Sequence, residues 1–336
     1  MGAGGRHLAE AIDVVSSLPA LAEAQRRLLS VCENTAATTG DLTQVIESDA
    51  ALTIAVMRGA NNGAGPGIPV SGVREAVEAL EAGGVRDVVA ELATYDELGD
   101  PGRRSMRHEC FRRHAVAVRH AAEQVGEMAR LPNIDELLAA ALLHDVGRLV
   151  LGELYGPERG EVANGEVPEE RARRERRELG IDHTLVGAVV IRRWGLRGEV
   201  AAAVERHHAP NASGHAAAVR LADLIVHHVA GDPVGPGRIS EAAAALGIDD
   251  ERLTALVFEF PYTQERRRRE TEPCPLSARE LDALRGLAEG MVYKQIAQEL
   301  SLSVSTVRTH LHNVYRKIGA VDRAQAVLLA RDRGWI

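Results

Sequence analysis

Apolar residues recur three and four positions apart along nearly the whole chain, while the apolar–polar alternation that half-buried strands require is scarce. That period lays one apolar stripe along each helix, so the pattern predicts an all-α protein. The clearest stripe is Val304, Val307, Leu311, Val314 and Ile318, spaced three, four, three and four. Ala, Leu, Glu and Arg, all good helix formers, fill much of the remainder.

Local signals divide the chain further. Asp41 is expected to cap a short helix carrying Val45 and Ile46, and Ser71 one carrying Val73, Val77 and Leu80, which Gly83-Gly84 should end. The glycine-rich stretch Gly59 to Gly67 reads as an irregular loop. Further helices are expected over Arg112 to Met128, Ile134 to Leu154, Asp182 to Trp194 and Glu199 to His208.

At 336 residues the chain suits two domains. The interval from Pro261 to Pro275 is charged and proline-flanked, which predicts a body over residues 10–260, a linker over 261–273 and a tail domain over 274–336. Its four-arginine run, Arg266 to Arg269, reads first as a solvated charge run and second as a phosphate contact. The formal net charge of −8 argues against nucleic acid for the chain taken whole, but it splits into −11 before Cys274 and +3 from Cys274 onward. Both lysines, Lys294 and Lys317, fall in the basic part. Three scattered cysteines fit neither a disulfide framework nor a zinc ribbon. At 3% aromatics a base-stacking platform is not expected. The longest apolar run, Leu137 to Leu143, is far short of a membrane span, and the start of the chain lacks a signal-peptide core, so a cytoplasmic protein is expected.

In the tail, Ser277-Ala278-Arg279-Glu280 forms a capping box ahead of Leu281, Leu284 and Leu287, and a second helix holds Ile296, Ala297 and Leu300. A three-residue turn then leads to a third helix capped by Ser303. Opposite its apolar seam lie Ser305, Thr309, His312, Asn313 and Arg316, with Arg308 on the flank. Such a face suits the major groove, and it equally describes an ordinary amphipathic surface helix. The segments Leu276-Ser277-x-Arg279-Glu280, Lys294-x-Ile296-Ala297, Ser303-x-x-Thr306-Val307-Arg308-Thr309-His310-Leu311-x-Asn313-Val314 and Lys317-Ile318 resemble the LuxR-type (GerE-like) helix-turn-helix. The resemblance implies a four-helix unit that binds double-stranded DNA as a homodimer. It implies base contacts from Arg308, Thr309 and His312 and phosphate contacts from Lys294, Ser305, Arg316 and Lys317, with Ser303, Thr306 and Asn313 completing the interface. Met291-Val292-Tyr293 departs from the small polar residues usual before that lysine.

The body holds a second constellation: His114, His144-Asp145, His183, His207-His208 and Asp223. Imidazole and carboxylate are the donors that divalent ions such as Fe, Mn, Zn or Mg take, and such an ion acidifies water and neutralises phosphate charge. The alternative is a buried hydrogen-bonded cluster that holds no ion. Ala140-Ala141-Leu142-Leu143-His144-Asp145-Val146-Gly147-Arg148-Leu149 resembles the core helix of the HD superfamily. Ser17-Leu18-Pro19-Ala20-Leu21, Val45-Ile46-Glu47-Ser48-Asp49, Leu179-Gly180-x-Asp182-His183-x-x-Val186-Gly187 and Arg192-Arg193-Trp194-Gly195-Leu196 resemble its HDOD (HD-related output) branch. The resemblance implies a helical signalling module with metal-ligand positions at His114, His144, Asp145 and Asp223, with His183 and His207 as further ligands and no catalytic residue assigned. Tyr155-Gly156-Pro157 has the wrong order for the Gly-Tyr-Pro signature of the related diesterases, and Gly59-Ala60-Asn61-Asn62 departs from the family's Leu-Ala-Asn-Ser pattern.

Together these features predict a transcription regulator whose body senses a small molecule, a nucleotide or a partner protein and controls a DNA-binding tail. The alternative expectation is a metal-dependent phosphohydrolase or phosphodiesterase acting on a nucleotide or cyclic dinucleotide.

Overall fold

The computed structural model describes residues 3–63, 69–96, 103–156, 167–260, 274–288, 291–300, 302–318, 320, 323–332 and 335. The expected linker, its arginine run and Pro157 lie outside these. The chain divides into two compact units, Met1–Thr263 and Gln264–Ile336. The regular structure among the described residues is helical in both, apart from one two-residue parallel pairing of Ala20–Leu21 with Thr94–Tyr95 in the first unit. No described helix is long and apolar enough to cross a membrane.

In the first unit the 26-residue helix Arg103–Met128 packs against Ile134–Leu143 and Gly214–Val229. The all-apolar run Leu137 to Leu143 is buried on every side, so this is a core helix and has no solvent face. The expected helix over 134–154 is in fact two, Ile134–Leu143 and Val146–Tyr155, broken where His144 and Asp145 turn the chain. The second of these lies so close to the helix His183–Arg193 that a Cβ on Gly147 would stand 2.0 Å from the His183 carbonyl oxygen and 2.7 Å from the Gly187 nitrogen. No side chain fits that gap, and the approach carries His144 and Asp145 to within reach of His183. The single body tryptophan, Trp194, is buried and donates from Nε1 to Ser16 Oγ at 2.7 Å.

Several local expectations are corrected. Gly59 to Gly63 belong to the helix Ala50–Gly63, because Gly59 admits Val88, whose Cγ2 would lie 2.7 Å from a Cβ there. Asn61 accepts from Val70 N and donates to Gly195 O, both at 3.0 Å, which ties the helix end in place. Asp41 is the third helical residue of a capping box whose cap is Thr38. Gly72 occupies the cap position assigned to Ser71, whose N–H and hydroxyl both donate to Glu75. That helix, Val73–Ala90, does not stop at Gly83-Gly84 but kinks at Glu81 (φ 54°, ψ 173°) and resumes.

The second unit contains helices Ala278–Ala288, Tyr293–Glu299, Val304–Ile318 and Arg323–Asp332. Leu284, Leu287, Ile296, Val307, Leu311, Val314, Ile318, Ala326 and Trp335 close one core. Burying each large aliphatic side chain contributes roughly 1.5–3 kcal/mol, which such a small unit needs. The capping box forms as expected: Ser277 N donates to Glu280 Oε2 at 2.7 Å, and Glu280 N to Ser277 Oγ at 3.4 Å.

Candidate functional site

Four donors meet inside the body. His114 comes from the long helix, His144 and Asp145 from the break between helices, and Asp223 from Gly214–Val229. His114 Nε2 lies 3.1 Å from Asp223 Oδ1, 3.3 Å from His144 Nε2 and 3.8 Å from Asp145 Oδ2. His144 Nε2 is 3.7 Å from each carboxylate. Ligand bonds of about 2.0–2.2 Å place neighbouring donors of a tetrahedral or octahedral shell roughly 3.0–3.5 Å apart, so the 3.1 and 3.3 Å edges match one divalent ion and the 3.7 and 3.8 Å edges are a little longer.

A second group adjoins it, since His183, His207 and His208 bring three buried ring nitrogens within 4.8 Å of one another. His183 Nε2 also stands 3.4 Å from Asp145 Oδ1, which links the groups. The far nitrogens fix the tautomers. His144 Nδ1 donates to Ala141 O at 2.8 Å, His207 Nδ1 to Val204 O at 2.7 Å and His183 Nδ1 to Glu175 Oε2 at 2.6 Å. Each Nε2 is thereby left with a lone pair facing the cluster, the arrangement that supports metal ligation. Buried His183 Nε2, His207 Nε2 and Asp223 Oδ1 have no hydrogen bond of good geometry. Buried polar atoms are normally satisfied, so these orphans, two in the His183 group and one beside His114, fit an ion better than a closed hydrogen-bonded cluster.

Burial lowers His144, but the Asp145 and Asp223 carboxylates beside it outweigh burial and raise it; at His114, His207 and Asp145 the electrostatics agree with metal ligation. Burial, with neighbouring imidazoles adding to it, pushes His114 down to about 4 and His207 down to about 3, so both are neutral donors near pH 7. Burial works against charge on Asp145, but the Arg148 guanidinium, with Nη1 2.5 Å from Oδ2, and the surrounding imidazoles hold it well below the usual carboxylate range. His227 is opposed by burial too, yet the Asp223 and Asp232 carboxylates on its two sides raise it to about 9. Sequence reasoning singled out neither Arg148 nor Glu175, His227 or Asp232. The i,i+3 spacing of Asp145 with Arg148 and the i,i+4 spacing of Asp223 with His227 were available signals.

In the tail, Arg308, Thr309, His312 and Arg316 are exposed on the helix Val304–Ile318, whose seam Val307, Leu311, Val314 and Ile318 is buried. Ser303 caps it, accepting from Thr306 N at 3.1 Å, while its Oγ lies 2.7 Å from both Ser305 Oγ and Thr306 Oγ1. Thr309 donates its hydroxyl to Ser305 O at 3.1 Å, and Arg316 Nη2 donates to Asn313 Oδ1 at 3.3 Å. Lys294 is exposed near the start of Tyr293–Glu299. Lys317 differs: its ammonium donates to Glu280 Oε2 at 2.7 Å, so an internal pairing stands against the expected phosphate contact there.

Residues 18–210 match the HDOD domain family, and residues 274–330 match bacterial regulatory proteins of the luxR family. Over 60 residues the chain is 43% identical to the uncharacterized transcriptional regulatory protein YxjL of Bacillus subtilis, covering 18% of this chain and 28% of that protein. Over 77 residues it is 41% identical to the nitrate/nitrite response regulator protein NarP of Escherichia coli, covering 22% and 36%. The chain thus spans about a third of the length of these curated relatives. Among solved structures, the MmoQ response regulator of Methylococcus capsulatus aligns with a TM-score of 0.57 at 24% identity, over 71% of this chain and 97% of that one. A virulence factor of Campylobacter jejuni aligns with a TM-score of 0.55 at 17% identity, over 75% and 96%. At these identities the likeness shows the fold alone.

Proposed function

The chain belongs to the HDOD family and carries a luxR-family segment at residues 274–330, and on that premise we propose that it is a cytoplasmic transcription regulator acting on double-stranded DNA. Residues 10–260 form the sensing body, 261–273 the linker and 274–336 the DNA-binding tail, which works as a homodimer. Arg308, Thr309 and His312 read bases, while Lys294, Ser305 and Arg316 meet phosphates with support from Ser303, Thr306 and Asn313. The observation that carries this reading is the helix Val304–Ile318, sealed along its seam and polar on its exposed face. A small molecule, nucleotide or partner protein met by the body shifts a two-state equilibrium that sets whether two tails reach adjacent half-sites.

The test is operator binding measured against salt. With Lys294 and Arg316 as the phosphate-facing cations of each subunit, a dimer neutralises about four phosphates and gives a log-log slope of about −4. Arg316→Ala should flatten that slope by about 2, and a wild-type slope near zero ends the proposal.

A second reading rests on the donor groups whose atoms lie within 4.8 Å of one another: His114, His144, Asp145 and Asp223 would hold a divalent ion, with His183 and His207 as added ligands. When bound, such an ion supplies charge neutralisation for a phosphate and acidifies water. Arg148 holds Asp145 ionised, and Glu175 keeps His183 in its ligating tautomer. Release of phosphate from a nucleotide, or of linear nucleotide from a cyclic dinucleotide, abolished by His144→Ala, would make this body a phosphohydrolase or phosphodiesterase.

A further inference from the structure

The helix Gly214–Val229 carries Asp223 and, one turn later, His227 on the same face. Beyond it the chain reverses at Gly231, whose φ of 84° suits glycine. There Gly231 N donates to His228 O and Asp232 N to His227 O, both at 3.0 Å. This turn returns the Asp232 carboxylate onto His227 Nδ1 at 2.6 Å. The opposite nitrogen, Nε2, stands 3.3 Å from Asp223 Oδ1, and the ring centroid lies 4.9 Å from that of His114. His227 is 8% exposed and Asp223 2% exposed, so water competes little for either group.

We propose that His227, held by Asp232, is a positioning residue that fixes the Asp223 carboxylate in the metal centre. The proposal rests on the reading that His114, His144, Asp145 and Asp223 bind a divalent ion. An aspartate on a helix has two free torsions, and Asp223 Oδ1 has no in-line hydrogen bond to hold it. The imidazole beside it, itself anchored to a second carboxylate by the helix-ending turn, blocks rotation and gives Asp223 a fixed neighbour. His144 and His207 are oriented by single backbone carbonyls, whereas His227 spans two carboxylates and, among the described residues, meets the site through Asp223 and the His114 ring. Outer groups of this kind commonly set metal affinity by 10- to 100-fold.

The test is Mn2+ titration of the full chain by calorimetry, with thermal unfolding in a chelator run beside it. His227→Leu should weaken Mn2+ binding by about 10- to 100-fold. His227→Gln, whose amide can still donate to Asp223, should recover most of that loss, and Asp232→Asn should lose less than His227→Leu. The Gln and Asn variants should melt with the wild type when chelated. Should the Leu variant not fold, weakening by Asp232→Asn at an unchanged chelated melting temperature carries the proposal, and unaltered binding overturns it. Wild-type Mn2+ binding that His227→Leu leaves unchanged, or that Gln fails to restore, overturns the positioning role alone. A wild type that binds no Mn2+ overturns the metal reading and this inference with it.

Discussion

In the body, the groups that can hold a ligand face inward, since His144, His183 and His207 are fully buried, whereas in the tail Arg308, Thr309, His312 and Arg316 stand in solvent on one helix. The inward site needs its neighbours to fix tautomers and charges before it can bind anything, as Glu175 does for His183 and Arg148 for Asp145. The outward face needs only a sealed seam behind it. Mutations should therefore act on the body through assembly of the site and on the tail through charge presented to a partner.

The sharpest break comes at Gly147. A methyl group there meets the His183 backbone, so Gly147→Ala should destabilise the body by about 3 kcal/mol or more and remove metal binding, while the tail keeps its DNA affinity. Calorimetric unfolding of the full chain together with a DNA titration separates the effects. Equal loss in both assays would show that the two units do not respond independently.

A smaller effect is expected at His207, whose Nε2 lacks a partner. Its Nδ1, however, donates to Val204 O, and losing that bond offsets relief of the orphan nitrogen, each worth about 1 kcal/mol. His207→Leu should therefore leave the chelated protein within about 1 kcal/mol of wild type and should shrink the rise in melting temperature produced by Mn2+. A chelated protein several degrees less stable would mark His207 as a satisfied structural residue.

The smallest effect tests the tail. Lys317→Met removes a part-exposed ion pair to Glu280, so stability should fall by about 1 kcal/mol or less. Because the charge is already paired inside the domain, the salt slope of DNA binding should stay near −4. A shallower slope would return Lys317 to the phosphate face.

The same division explains what could be read in advance. The tail was legible nearly residue by residue, because its seam and polar face are local properties of consecutive turns. In the body the four donors at His114, His144, Asp145 and Asp223 were legible as a pattern, but their supports were not. Glu175 reaches His183 across eight positions, and Asp232 reaches His227 only because Gly231 reverses the chain. Gly59 was misread as loop for the same reason: nothing nearby in the sequence reveals that Val88 packs against it. Charges paired over distance, as Lys317 is with Glu280, likewise escape a period of 3.6.

The two tryptophans fall one to each unit, Trp194 in the body beneath Arg58 and Trp335 in the core of the tail. Each unit thus contains its own ultraviolet emitter, with Trp194 6.0 Å from a cation and Trp335 buried in the core of the tail. With Trp194→Phe or Trp335→Phe in place, the emission of the full chain comes from a single known site. Ligand added to the body and DNA added to the tail can then be followed optically in turn, without attaching a dye.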